Sequence, residues 1–221
     1  MRLRDRLVSA GRTRWLDVGC GGEFEPGFDY LDVFPTGLVP AEHRDRYHRV
    51  DIVHPGPAAE RLRGGYDLVR LQHTLEHLGF EDGQAALRTC AALLRPGGLI
   101  LITVPDLRVH VRRYLDGSYR NWAGFAQWAR GRVPPDAPDS AYFSVYAHSM
   151  TFEEHRWCYD YEGLAYQLRR TGAFGGIREL RPDDPLASLP FTHNRPEEDV
   201  CVLAELLPRH SGDQPAASAS G

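Results

Sequence analysis

Lysine is missing from this 221-residue chain, and all 26 of its basic side chains are arginine. That absence excludes chemistry run through a lysine amine, Schiff bases above all. The arginine bias itself reads as the codon usage of a GC-rich genome. Cysteine is sparse: Cys20, Cys90, Cys158 and Cys201 stand apart, with no C-x-x-C pair. A disulfide framework is thereby excluded, and reduced thiols are expected. No apolar run approaches the length of a membrane span, and the opening MRLRDRLVSAGRTRW has no apolar signal core, which together predict a cytoplasmic protein without a membrane partner. There is no long basic block, and the formal net charge is -4, an argument against nonspecific nucleic-acid binding.

What is present is ordinary for a globular domain, with 42% hydrophobic and 25% charged residues, enough for a substantial core. Residues 3–10 predict a short amphipathic helix. RWLDVG, FDYLDVF, YHRVDIV, YDLVRLQ and LILITVP read as strands, with PAAERLR and EDGQAALRTCAALL as helices and RPGG as a turn. Strands alternating with helices indicate parallel βαβ units. YDYEGLAYQLRRTGAF predicts a late helix with a glycine stop, and IRELRP and EDVCVLAELLP two closing strands, read as antiparallel. The expected organisation is one domain over 1–207. An excursion at about 117–149 carries Tyr119, Trp122, Phe125, Trp128, Tyr142, Phe143 and Tyr146. It reads either as a cap over a substrate or as a surface segment packed by its own aromatics. Residues 208–221 have the composition of a disordered tail.

The chemistry-bearing residues gather at strand ends. WLDVGCGGEFEPG places Asp17, Gly19, Cys20, Gly21 and Gly22 directly after the first strand, and residues without side chains let a ligand approach the backbone. The dinucleotide fingerprint needs a third glycine where this chain has Phe24, and no helix start follows, so a nicotinamide oxidoreductase loses ground. Asp32 closes the second strand, suited to ribose hydroxyls, and Asp51 lies near the end of the third. LVRLQHTLEHLGF then sets His73, Glu76 and His77 at i, i+3 and i+4, a spacing that shares one face if the run is helical.

LDVGCGG, YLDVF, VDIV, YDLVRLQHTLEHL, LLRPGGLILITVPD and EEHRWCYDYEGLAYQLRRTGAF together resemble the class I S-adenosylmethionine-dependent methyltransferases, over roughly residues 14–181. The likeness is greatest to the small bacterial type that tailors sugars, glycans and natural products. It implies an α/β, Rossmann-like, mostly parallel sheet with helices on both faces and an antiparallel final strand. It also implies S-adenosyl-L-methionine as cofactor, with Asp17, Gly19, Cys20 and Gly21 at its methionine part. Asp32 would then take the ribose, Asp51 and Ile52 the adenine, and Gln72 and His73 the methyl-transfer site. The link from glycine turn to second strand is short, so the family's first helix must be truncated.

Methyl transfer to a hydroxyl needs alignment and help in removing the proton. Histidine suits the base role, and a divalent ion would instead lower the hydroxyl's pKa. HTLEH resembles the E-x-x-E-H pattern of ubiquinone-pathway O-methyltransferases and of small-RNA 3′-terminal 2′-O-methyltransferases, with His73 in place of the first glutamate. The small-RNA enzymes add a later histidine in a segment similar to EEHRW, where His155 falls. His73, Glu76, His77 and His155 are therefore candidate metal ligands, with His73, Glu76 and His77 also candidate catalytic groups. The histidine-rich set favours zinc, iron or manganese over magnesium. H-x-x-E-H also matches a zinc peptidase pattern, but not one emerging from a parallel strand beside a glycine turn. The expected activity is O-methylation of a small-molecule acceptor, by a monomer or homodimer. The other readings are an RNA 3′-end methyltransferase, weakened by the acidic balance, and a non-catalytic cofactor-fold binding protein.

Overall fold

The computed structural model describes residues 1–121 and 154–208. Most of the aromatic excursion and the tail expected from composition lie outside the described residues. Seven strands form one sheet: β1 (Trp15–Val18), β2 (Phe28–Asp32), β3 (Tyr47–Arg49), β4 (Tyr66–Gln72), β5 (Leu94–Pro105), β6 (Phe174–Glu179) and β7 (Asp199–Leu206). Their order is β3-β2-β1-β4-β5-β7-β6. The first five pair in parallel, and β7 runs antiparallel between β5 and β6. Of the two closing strands, then, only β7 reverses direction.

Strands buried on both faces explain the near-continuous apolar runs in the sequence. On one face Leu16, Val18, Leu31, Val69 and Leu71 pack against α2 (Pro57–Glu60), α3 (Phe80–Leu93) and α5 (Tyr161–Arg170). On the other, Trp15, Phe28, Tyr30 and Leu68 pack against α1 (Leu3–Ser9) and against Leu180, Leu186 and Phe191 of the segment joining β6 to β7. Asp160 caps α5 by accepting from the Gly163 N–H at 2.9 Å, a bond that satisfies one of the helix's orphan donors. No described helix is long and apolar enough to cross a membrane.

Three local features depart from the sequence reading. No helix joins β1 to β2, and two 3-10 turns join β2 to β3. A further helix, α4 (Leu107–Leu115), follows β5 directly, with Asp106 accepting from the Arg108 N–H at 2.8 Å. Finally, Leu75–His77 is a single 3-10 turn. His73 precedes it with φ of 52°, so His73, Glu76 and His77 do not share an α-helical face.

Candidate active site

The carboxyl edge of β1, β2 and β4 presents the glycine turn, the expected place for a ligand in an open parallel sheet. Gly19, Gly21 and Gly22 all have positive φ, at 72°, 57° and 93°, a region closed to most side chains. The Gly19 N–H donates to the Leu31 carbonyl at 2.7 Å, binding the turn to β2. Asp32, 8% exposed, completes the join: its carboxylate accepts from the Gly21 N–H at 2.9 Å and its own neighbour Val33 at 2.7 Å. A side chain at Gly22 would meet nothing within 4 Å among the described residues, so here the turn offers bare backbone, which fits a closely approaching cofactor.

Gly19 has a different reason for being glycine. A Cβ there would lie 2.3 Å from Thr74 Oγ1 and 2.4 Å from its Cγ2. Thr74 is held in that position by donating to the Val18 carbonyl at 3.1 Å. The need for a small residue comes from the chain packed against it, where the sequence suggested a ligand.

Other expected cofactor contacts are otherwise engaged. Both oxygens of Asp17 are taken by the fork of Arg70, at 3.0 and 2.7 Å, so this carboxylate serves the fold beneath the turn. Asp51 is exposed, and its Oδ1 accepts from the Val53 and His54 N–H groups at 2.8 and 3.1 Å, an Asx-type turn beyond the end of β3. Ile52 beside it is buried. The Gln72 amide donates to the Pro190 carbonyl at 3.2 Å. Burial drives the Cys20 thiol up to about 12, leaving it neutral and unreactive.

Beyond β4 the chain builds a second centre. The Glu76 carbonyl accepts from the N–H groups of Arg156 and Trp157 at 2.8 and 3.1 Å. That anchorage places His155 against the 3-10 turn, its ring 5.0 Å from that of His77 at 76°. Glu76, His77 and His155 each offer a ligand atom, and these atoms lie within 4.8 Å of one another. Glu76 Oε2 and His77 Nδ1 are buried and have no hydrogen-bond partner among the described residues, an arrangement that costs about 1–3 kcal/mol per atom unless something answers it. Burial pushes His155 down to about 4 against the pull of Glu76, so the ring is neutral. Burial alone would raise the Glu76 carboxyl, but His73 outweighs it and the group sits below its usual range. An anionic oxygen and two histidines fit a divalent ion at ~2 Å from each after small side-chain rotations.

His73 stands outside this trio. Its Nδ1 faces Glu76 Oε1 at 3.2 Å, and its Nε2 faces Asn194 Oδ1 at 2.7 Å and Asp199 Oδ1 at 3.2 Å. Burial works against its charge, yet the carboxylates of Asp199 and Glu76 raise it to about 10. Both nitrogens thus face acceptors of the protein itself. The group that could hold an ion comprises Glu76, His77 and His155, and His73, expected as ligand and base, lies behind Glu76 where it orients that carboxylate. Its left-handed backbone is the kind of strain, about 1–3 kcal/mol, that persists only when surroundings over-determine it.

Residues the sequence reading passed over complete the surroundings. Asn194 and Asp199 come from the return to β7, and no local pattern announces them. His110, from α4, is 1% exposed and is pushed down to about 3, chiefly by burial and then by Arg113 and His155. Arg70 did carry a signal: a charge inside the apolar strand YDLVRLQ demands a buried partner.

A model of the methyltransferase domain family matches residues 1–173. Ubiquinone biosynthesis O-methyltransferase of Caulobacter sp. (strain K31) is 34% identical over 109 residues, covering 42% of each chain. Methyltransferase grgD of a Penicillium species is 34% identical over 104 residues, 42% of this chain and 35% of its own. The chain thus spans less than half the length of these curated relatives. Among solved structures, the S-adenosylmethionine-dependent methyltransferase SibL shares the fold at a TM-score of 0.52 and 18% identity, over 90% of this chain and 52% of its own. A protein solved in work on thioacetal formation during echinomycin biosynthesis aligns at 0.55 and 13%, over 94% and 82%. Strand order, glycine turn and a family model running from the first residue to the start of the closing strands agree, and the chain belongs to the class I S-adenosylmethionine-dependent methyltransferases.

Proposed function

We propose that this enzyme methylates a hydroxyl of a small-molecule acceptor in the cytoplasm, with S-adenosylmethionine at the glycine turn and a divalent ion at Glu76, His77 and His155. The observation that carries the reading is the convergence of those three side chains beside the turn, where Glu76 Oε2 and His77 Nδ1 are buried without a hydrogen-bond partner among the described residues. Thr74 links the two centres, since its hydroxyl reaches the carbonyls of Val18 and Gly19 two residues before Glu76. The ubiquinone-pathway relatives are named for O-methylation, which supports an oxygen acceptor.

The cofactor supplies an electrophilic methyl, and the ion would lower the pKa of a hydroxyl placed against it. The protein's own part is geometric and electrostatic. The turn would hold the methionine part of the cofactor and Asp32 its ribose, at the carboxyl edge of the sheet. Glu76 and the two histidines would hold the ion that positions the acceptor oxygen, a constraint that replaces translational freedom. His73 keeps Glu76 ionised and aimed. The neutral His155, or His77 beside it, is placed to take the hydroxyl proton when no ion is held.

The test has two arms. Calorimetry of the purified protein with manganese or zinc measures the ion, and mass spectrometry for a gain of one methyl on hydroxylated acceptors measures turnover. His77→Ala should lose both the ion and turnover while binding S-adenosylmethionine normally. Metal binding that survives both His77→Ala and His155→Ala would sink the site, and turnover indifferent to chelator would assign histidine as the base.

A further inference from the structure

Residues 19–27 pass from β1 to β2 with no helix. In glycine-turn nucleotide folds a following helix ordinarily fixes the turn and offers its N-terminus to the ligand. Here something else must hold the backbone still.

Arg70 is 2% exposed and lies directly across from Asp17 in the β1–β4 pairing. Its Nε and Nη2 grip the two Asp17 oxygens. Its Nη1 reaches Glu25 Oε2 at 2.5 Å, and its guanidinium lies 4.2 Å over the Phe28 ring. Asp17 stands two residues before the first glycine of the turn, and Glu25 stands near its far end. Glu25 is tied further by Tyr30, whose hydroxyl donates to its carbonyl at 2.8 Å, and by Arg4 of α1 at 3.8 Å. Burial works against the Arg70 charge, and the Asp17 and Glu25 carboxylates overturn that and raise its pKa.

An apolar side chain would pack this position of β4 against Phe28 and Phe191 without taking ions out of water. Buried ion pairs seldom stabilise more than such a replacement, so the charge points to geometry. We propose that Arg70, through Asp17 and Glu25, is the positioning residue of the cofactor turn and does the work of the missing helix. The guanidinium clamps both ends of residues 19–27 to the central strand, and the glycines between are held ready for the ligand. The proposal rests on the reading that this turn carries the cofactor.

Glu25→Gln tests the outer arm at a half-buried site where the fold is not at risk. S-adenosylmethionine affinity by calorimetry should fall about tenfold, the scale of one charge-assisted hydrogen bond. The KM for cofactor should rise with kcat at saturation kept, and amide exchange at Gly21 and Gly22 should quicken while the melting temperature stays put. The pair Arg70→Met with Asp17→Asn removes both buried ions together and should fold, with cofactor affinity lower still. Unchanged affinity and exchange in Glu25→Gln would overturn the proposal. In the wild type, cofactor should slow exchange at the turn amides; if it does not, the turn is not the cofactor site, and that failure is read separately from failure of the clamp.

Discussion

Gly19→Ala separates a packing requirement from a ligand requirement. The new Cβ would sit 2.3, 2.4 and 2.9 Å from Thr74 Oγ1, Cγ2 and Cβ, all closer than non-bonded atoms approach. Thr74 cannot turn aside freely, because its hydroxyl is bonded to the Val18 carbonyl and its backbone begins the 3-10 turn. Overpacking of this kind costs about 1–3 kcal/mol. The left-handed φ of 72° adds about 1–2 kcal/mol for a residue with a side chain. The single variant should therefore lose about 3–4 kcal/mol of stability in urea unfolding. In a Thr74→Ala background the Oγ1 and Cγ2 contacts vanish, and the same substitution should cost about 2 kcal/mol less. Because the Cβ points at residue 74, the double variant should still bind S-adenosylmethionine in calorimetry. A coupling under about 0.5 kcal/mol would refute the packing account. A well-folded double variant with no cofactor affinity would restore the idea that the ligand itself excludes a side chain at Gly19.

Asp32→Ala should weaken S-adenosylmethionine binding by a factor of tens to hundreds, from about 2–4 kcal/mol of lost acceptor function, because the Gly21 and Val33 amides lose their anchor along with the ribose. Asp29→Ala is the control: its carboxylate faces Arg46 and Tyr66, and calorimetry should find cofactor affinity unmoved. His110 is neutral in the fold, with its pKa lowered from 6.5 to about 3, so the unfolded chain takes up an extra proton between those values. Its contribution is whole above pH 6.5 and is lost as pH falls toward 3, at about 1.36 kcal/mol per pH unit. Between pH 6 and pH 4, His110→Leu should lose about 2 kcal/mol less stability than the wild type in urea titrations; equal losses would rule this account out.

The central strands β1, β2 and β4 were legible because they are largely buried on both faces and so read as apolar runs. The helix α4 was not. Its opening, Leu107, Val109 and Val111 with polar residues between, alternates with period two and extends the strand pattern of β5 past Pro105. Only the Asp106 cap marks a helix there. At the site, the gathering of Glu76, His77 and His155 followed from motif resemblance, but the assumed helix face did not survive. A left-handed residue and a three-residue turn have no periodic signature. The partners of His73 were illegible for another reason: Asn194 and Asp199 arrive by chain reversal at β7, more than a hundred residues away, and neither propensity nor pattern encodes such a meeting.

The histidine at position 73 changes more than one contact. A glutamate there, as in the related E-x-x-E-H pattern, would add a second anion and face an ion directly. An imidazole bonded on both sides by acceptors becomes a donor, and the structure uses it so, bracing Glu76 from one side and closing onto Asn194 and Asp199 from the other. The proposed ligand set is thereby reduced to one carboxylate and two imidazole nitrogens, with a cation behind the carboxylate. Magnesium gains most from several anionic oxygens and little from imidazole, whereas manganese, iron and zinc accept a mixed set readily. The same residue that removes a ligand thus shifts the preferred metal. Because Asp199 is the first residue of β7, it also makes the aim of Glu76 depend on the last strand being in register.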